Sequence, residues 1–180
     1  SANLEGTPMS TAVATQRSNG VRVIGLLAII AGVIMIVAGG VTWGAVSSQL
    51  ASENITVPDD AAFAAGTKVD NPISAFAQAD IINKHALAGS GGLTYAELGA
   101  KARELQEAGA SEEEVAEVQA QRTSVMNGSF LRASLFTSVV AYGVAALVVG
   151  LGVLFVLVGW ALRRLAAPVT GTATPDVAQE

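Results

Sequence analysis

The chain has no cysteine and one histidine, His85, in 180 residues. Without cysteine there is no disulfide framework, no thiolate metal site and no cysteine nucleophile. With a single histidine, the common zinc ligand sets are excluded, as are a two-histidine-one-carboxylate iron site and a bis-histidine haem within one chain. Charge is also scarce. Only 14% of residues are Asp, Glu, Lys or Arg, against about 25% in a soluble domain. The deficit is concentrated in two stretches, and the remainder reads as an ordinary, mildly acidic polypeptide.

The first stretch, VIGLLAIIAGVIMIVAGGVTWGAV, runs from Val23 to Val46 without a charged side chain. As a helix it would measure about 36 Å, enough to cross a hydrocarbon layer of about 30 Å. It is too long for the apolar region of a cleavable signal peptide. The second, ASLFTSVVAYGVAALVVGLGVLFVLVGWAL, covers Ala133–Leu162 and is also uncharged. The expected fold is therefore an all-α membrane protein. Two transmembrane helices, over residues 21–46 and 132–162, are joined by a largely helical extracytoplasmic loop over 47–131. Cytoplasmic tails are expected at 1–20 and 163–180.

Flanking side chains support that reading. Trp43 and Trp160 lie near the ends of the stretches, where an indole suits the headgroup region. Arg22, Arg163 and Arg164 are expected as further interfacial anchors, snorkelling to the polar layer. Arg17 and Arg22 precede the first span and Arg163 and Arg164 follow the second. The connecting loop starts without a cation from Ser47 to Gly66. The positive-inside rule then puts both termini in the cytoplasm of a multi-pass plasma-membrane protein, with Arg122 and Arg132, close to the second span, arguing weakly the other way. Between Ser47 and Arg132, twelve Asp/Glu face six Lys/Arg, so the loop is acidic. MSTAVATQRSNG from Met9 reads as a natural start. The octet SANLEGTP before it reads as an expression remnant or an upstream start and is set aside.

Within the loop, residues 47–71 read as irregular, broken by Pro58, Asp59-Asp60 and Gly66. Asn54-Ile55-Thr56 is formally a glycosylation sequon. Pro72, with Asn71 as cap, is expected to open a helix whose face carries Ile73, Phe76, Ala77, Ile81 and Leu87. Thr94–Glu97 and Ser111–Glu114 are capping-box patterns that open two more short helices. Glu97–Lys101 and Arg103–Glu107 fall at the spacing of i,i+4 ion pairs. Asn127-Gly128 is expected to mark the entry to the second span, with a helix continuous through this point as the alternative. So small a loop lacks the core of an independent domain, and its apolar edges are expected to be covered by the membrane surface or another protein.

Chemistry is sparse. His85 reads as a helix C-terminal or surface cation. Glu112, Glu113, Glu114 and Glu117 lack the ligand spacing of a calcium loop, and Gly89-Ser90-Gly91-Gly92 lacks the Lys-Ser/Thr of a phosphate loop. The acidic loop does not suit nucleic acid. No catalytic, cofactor-binding or metal residue is expected, and no cofactor. Neither span holds an ionisable residue of the kind that transport and proton relays place at membrane depth. Small residues do recur at four-residue spacing, which lets membrane helices approach closely. Gly32, Gly40, Gly44, Ala146 and Gly150 are the expected packing residues, toward each other and toward another subunit. Val156 is expected to face lipid.

Three segments carry a family resemblance: ENITVPDDA (Glu53–Ala61), GGLTYAEL (Gly91–Leu98) and NGSFLRASLFTSVVAYGVAALVVGLGVLFVLVGWALRR (Asn127–Arg164). They resemble a family of small actinobacterial two-span membrane proteins, often labelled aromatic-ring-opening dioxygenase. That label implies iron chemistry needing two histidines, which this chain lacks. Many members carry a pair of loop cysteines; here the corresponding positions are Ala62 and Ala77, so the resemblance implies no disulfide. The acidic segment from Gly99 to Gln121 departs from the pattern. Similar small proteins accompany the actinobacterial cytochrome bcc–aa3 respiratory supercomplex. The resemblance therefore implies an accessory subunit that is not an enzyme, with integral membrane subunits and the lipid bilayer as partners. A component of an envelope or secretion complex with the same architecture is the alternative.

Overall fold

Four helices account for most of the chain in a computed structural model that describes residues 10–166. They are α1 (Ser10–Ser52), α2 (Pro72–Gly89), α3 (Tyr95–Glu107) and α4 (Glu112–Leu165). The octet before Met9, Met9 itself and the tail from residue 167 lie outside the described residues. At 1.5 Å per residue, the 43 residues of α1 and the 54 of α4 measure about 65 and 81 Å. Both are long and apolar enough to cross a membrane.

The helix starts follow local chemistry. Asn71 accepts from the N–H groups of Ile73 and Ser74, and Pro72 occupies the first turn, where its missing N–H is no loss. The Thr94 backbone N–H donates to Glu97 at 2.8 Å, and the Ser111 N–H to Glu114 at 3.0 Å. Glu97 therefore turns back onto its cap rather than forward to Lys101. Among the described residues the only ion pairs are those that Asp60 makes with Lys84 and His85.

Of the two readings at Asn127-Gly128 the continuous helix is the one observed: α4 runs unbroken from Glu112 to Leu165, so the short helix expected to open at Ser111 and the second span are one element. Gly128 serves packing instead. A Cβ there would stand 3.2 Å from the Cβ of Ala86, so the glycine admits α2 against α4. That contact offsets the roughly 1 kcal/mol by which a mid-helix glycine disfavours a helix.

The chain divides into two compact units, Ser1–Ala38 with Val148–Glu180, and Gly39–Leu147. In the first, α1 and α4 lie backbone against backbone at glycines. The second holds two clusters. Leu50, Val57, Val69, Ala75, Ala79, Leu135 and Tyr142 form one, and Leu98, Ala102, Val118 and Val125 the other. Part of the loop's apolar surface is thus covered by the chain's own long helices, which corrects the expectation of an outside cover for that part, while Phe63, Ile73, Phe76 and Tyr95 stay exposed. A loop that cannot stand alone does not need to, because α1 and α4 extend past the apolar stretches to complete its core.

Two local readings also change. Residues 47–71 are not irregular throughout: 47–52 are the end of α1, and Val57 and Val69 donate across a short antiparallel pairing to Thr67 and Ile55, each at 2.9 Å. Three or four residues per side are too few for alternation to show in the sequence. In α2 the buried face is Ser74, Ala75, Ala77, Ala79 and Ile81, whereas Ile73 and Phe76 are exposed. Close packing on α4 selects alanines, and Phe76 instead stacks on Phe63 and meets Phe136 edge-on.

Candidate functional site

The most connected side chain is Tyr142, which lies within the second apolar stretch and is 1% exposed. Its hydroxyl donates to the backbone carbonyl of Asp70 at 2.9 Å. The Ser47 hydroxyl lies 2.7 Å away on its other side. A phenol has one proton; once that goes to the carbonyl, Ser47 must be the donor in the second bond. Trp43 packs against the same ring, centroids 4.7 Å apart and edge-on. Tyr142 thereby joins α1, α4 and the segment that leads into α2. Composition counts such a tyrosine as part of an apolar run, so the sequence reading passed over it.

Of the expected packing residues, Gly32 is engaged. A Cβ at Gly32 would fall 2.5 Å from the carbonyl oxygen of Gly152 and 2.8 Å from Cγ2 of Val156. Val156 therefore covers Gly32, and its expected lipid-facing place is corrected. The reciprocal close approaches are at Gly152, and at Gly25 with Gly159, where an added Cβ would clash with a backbone carbonyl on either side. Gly40, Gly44 and Gly150 have nothing within 4 Å of a built Cβ, and Ala146 is exposed. They take no part in packing within the chain. The engaged residues repeat at seven, not four: Gly25 and Gly32 on α1, Gly152 and Gly159 on α4. A heptad search for small residues would have found them.

Trp43, expected as an interfacial anchor, is a packing partner of Tyr142. Arg22, Trp160, Arg163 and Arg164 are exposed, with the Arg164 guanidinium 4.8 Å from the centre of the Trp160 ring. Elsewhere, Arg122 lies over Tyr95 at 4.1 Å and against Gly99, laying its guanidinium on α3.

The titratable groups do local structural work. His85 Nε2 and Asp60 Oδ2 are 2.7 Å apart, with Lys84 at 3.9 Å, all three solvent-exposed. The bond from His85 holds the Asp60 carboxyl below its usual value, with the charges of His85 and Lys84 acting the same way. Bonds from Thr94 lower Glu97, and bonds from Ser111 lower Glu114. Asp60, read from the sequence as a turn residue, is at a turn and also fastens that turn to α2. Among the described residues no three His, Asp or Glu side chains gather as a metal site. A cleft of about 520 Å³ lies between α1, α2 and α4, with polar groups from Gln49, Glu53, Gln78, Ser134 and Ser138. The Gln78 carbonyl oxygen there is buried without a partner.

These features define an all-helical protein of two long apolar helices, clasped by glycines in one unit and by a small side-chain core in the other. No protein-family model, curated protein or solved structure matches the chain.

Proposed function

We propose that this chain is a non-catalytic accessory subunit of a larger plasma-membrane assembly. In this reading α1 and α4 cross the bilayer, both termini are cytoplasmic, and residues 47–131 lie on the outer side. The carrying observation is how little of the long helices the chain itself covers. Only 11% and 17% of their most apolar windows are buried, whereas a core helix of a soluble protein is mostly buried. Ile24, Ile34, Val41, Leu147 and Leu157 are among the large apolar side chains left exposed. Water tolerates exposed apolar patches of a few hundred Å²; lipid and neighbouring helices suit larger ones.

Gly40, Gly44 and Gly150, unused within the chain, supply the small surface against which another subunit's helix packs. The resemblance to small actinobacterial two-span proteins names the cytochrome bcc–aa3 supercomplex as the assembly to test first. After solubilisation of native membranes in mild detergent, the chain is expected to co-migrate with haem absorbance. Gly44→Leu and Gly150→Leu are expected to release it while leaving it inserted, and Val158→Leu, at an exposed position, to leave it bound. Equal retention of all three would sink the packing role of these glycines; migration apart from haem would sink this choice of assembly. Orientation has its own test. Because Ser90 is 4% exposed, the informative positions are Glu104→Cys, exposed on α3, and Thr172→Cys in the C-terminal tail. An impermeant thiol reagent should label only the first in intact cells, and labelling of the second alone would reverse the orientation.

A further inference from the structure

The crossing at Gly25 and Gly159 gathers charge as well as backbone. A Cβ at Gly25 would stand 2.9 Å from Cγ of Arg163, so the stem of Arg163 lies across α1. Arg22 is three residues before Gly25, on the same side of the helix. Arg22, Arg163 and Arg164, together with Ile29 and Trp160, line a cleft of about 250 Å³. No Asp or Glu occurs in residues 10–38 or 148–166. Among the described residues none of the three arginines has a carboxylate partner.

Three guanidinium groups sharing one cleft repel one another unless an anion sits among them. Their planar forks match phosphate oxygens in a bidentate manner. The rest of the lining is Ile29 and the Trp160 ring, at the end of an apolar stretch, which suits a ligand that is anionic at one end and apolar at the other. We infer that Arg22, Arg163 and Arg164 form a binding site for the phosphate of an anionic phospholipid. Its head group sits among the arginines and its acyl chains run along the exposed apolar face of the helix pair. Basic pockets between membrane helices hold lipid head groups by this same chemistry. The inference rests on the proposed reading that α1 and α4 cross a bilayer, and the experiment separates the two.

The chain has two tryptophans, so Trp43→Phe leaves Trp160 as the only indole. The full chain carrying that change is reconstituted in phosphatidylcholine vesicles that contain brominated phosphatidylcholine or brominated phosphatidylglycerol. Trp160 emission should be quenched by both lipids, with an apparent affinity about five-fold higher for phosphatidylglycerol, the contribution of about one cation near an anionic surface. The preference should vanish when Arg22, Arg163 and Arg164 are all changed to Gln, and weaken when all three are changed to Lys, which keeps the charge without the fork, with helicity unchanged by circular dichroism. Equal quenching by the two lipids in the chain with all three arginines would overturn the inference while leaving the membrane reading intact. So would a preference that survives in the Gln variant. Loss of the preference on adding inorganic phosphate at constant ionic strength would assign the cleft to a soluble anion and overturn the lipid site. Absence of quenching by either lipid would defeat the membrane reading itself.

Discussion

The two units solve the same problem, holding α1 against α4, by opposite means. In residues 10–38 and 148–166, the helices meet through glycines, backbone close to backbone, with the side chains of Ile29, Ile36 and Val156 lying over the glycines. That contact draws on dispersion between closely approached backbones. In residues 39–147 the helices meet through side chains. Leu50, Leu135 and Tyr142 pack with Val57, Val69 and the alanines of α2, and the Tyr142 hydroxyl ties three segments together. That unit draws on hydrophobic burial, and it pairs the buried Tyr142 hydroxyl, while Gln78 Oε1, Arg122 Nε and Arg132 Nε stay buried without a partner. A backbone seam tolerates no added atom. A side-chain core tolerates shape changes but not the loss of a hydrogen-bonding group.

The sharpest way to break the comparison is to fill the seam. Gly32→Leu puts a side chain where the Gly152 carbonyl and Val156 already sit, and is expected to destabilise the helix pair by about 3 kcal/mol, the upper end for overpacking. Gly40→Leu meets no atom within 4 Å and is expected to stay within about 0.5 kcal/mol of the parent. Thermal unfolding in micelles, followed by circular dichroism, reads both. Equal losses would mean that the seam is not where the first unit is held.

Next in size is Tyr142→Phe. It keeps the ring against Trp43 but leaves the Asp70 carbonyl and the Ser47 hydroxyl without their partner, for a loss of about 1–3 kcal/mol. Hydrogen exchange should rise most in the segment around Val69, whose N–H bonds to Ile55. Uniform change across both units would show that Tyr142 is not a local tie.

The smallest effect is electrostatic. Folded Asp60, Glu97 and Glu114 are held below their ordinary values of 3.8, 4.5 and 4.5. Their stabilisation is therefore complete above those values and is lost as pH falls through the lower, folded ones. All three are exposed, so the loss is modest. Limited proteolysis should cut residues 55–69 faster near pH 3 than near pH 6. Asp60→Asn should make cleavage at the higher pH resemble that at the lower. His85→Gln should loosen the same segment and leave the activity of any associated oxidoreductase unchanged. A fall in activity with the assembly intact would reveal a role for His85 beyond holding Asp60.

Composition and spacing were enough to determine the two long apolar helices, the acidic character of the connecting segment, and the starts of α2, α3 and α4. Each of these depends on residues close in sequence: an uncharged run, a proline after an asparagine, a hydroxyl three residues before a glutamate. Three things were decided only in three dimensions. Gly128 could read as a break until α2 was seen lying against it. Tyr142 was one letter in an apolar run until its hydroxyl was found between Ser47 and Asp70. Gly32 was singled out by its four-residue spacing together with glycines that pack on nothing within the chain, and that it pairs with Gly152, as Gly25 does with Gly159, was settled only with α1 and α4 face to face. A glycine in a helix carries no side chain to reveal its partner, and its role is set by what approaches it, which lies more than a hundred residues away along the chain.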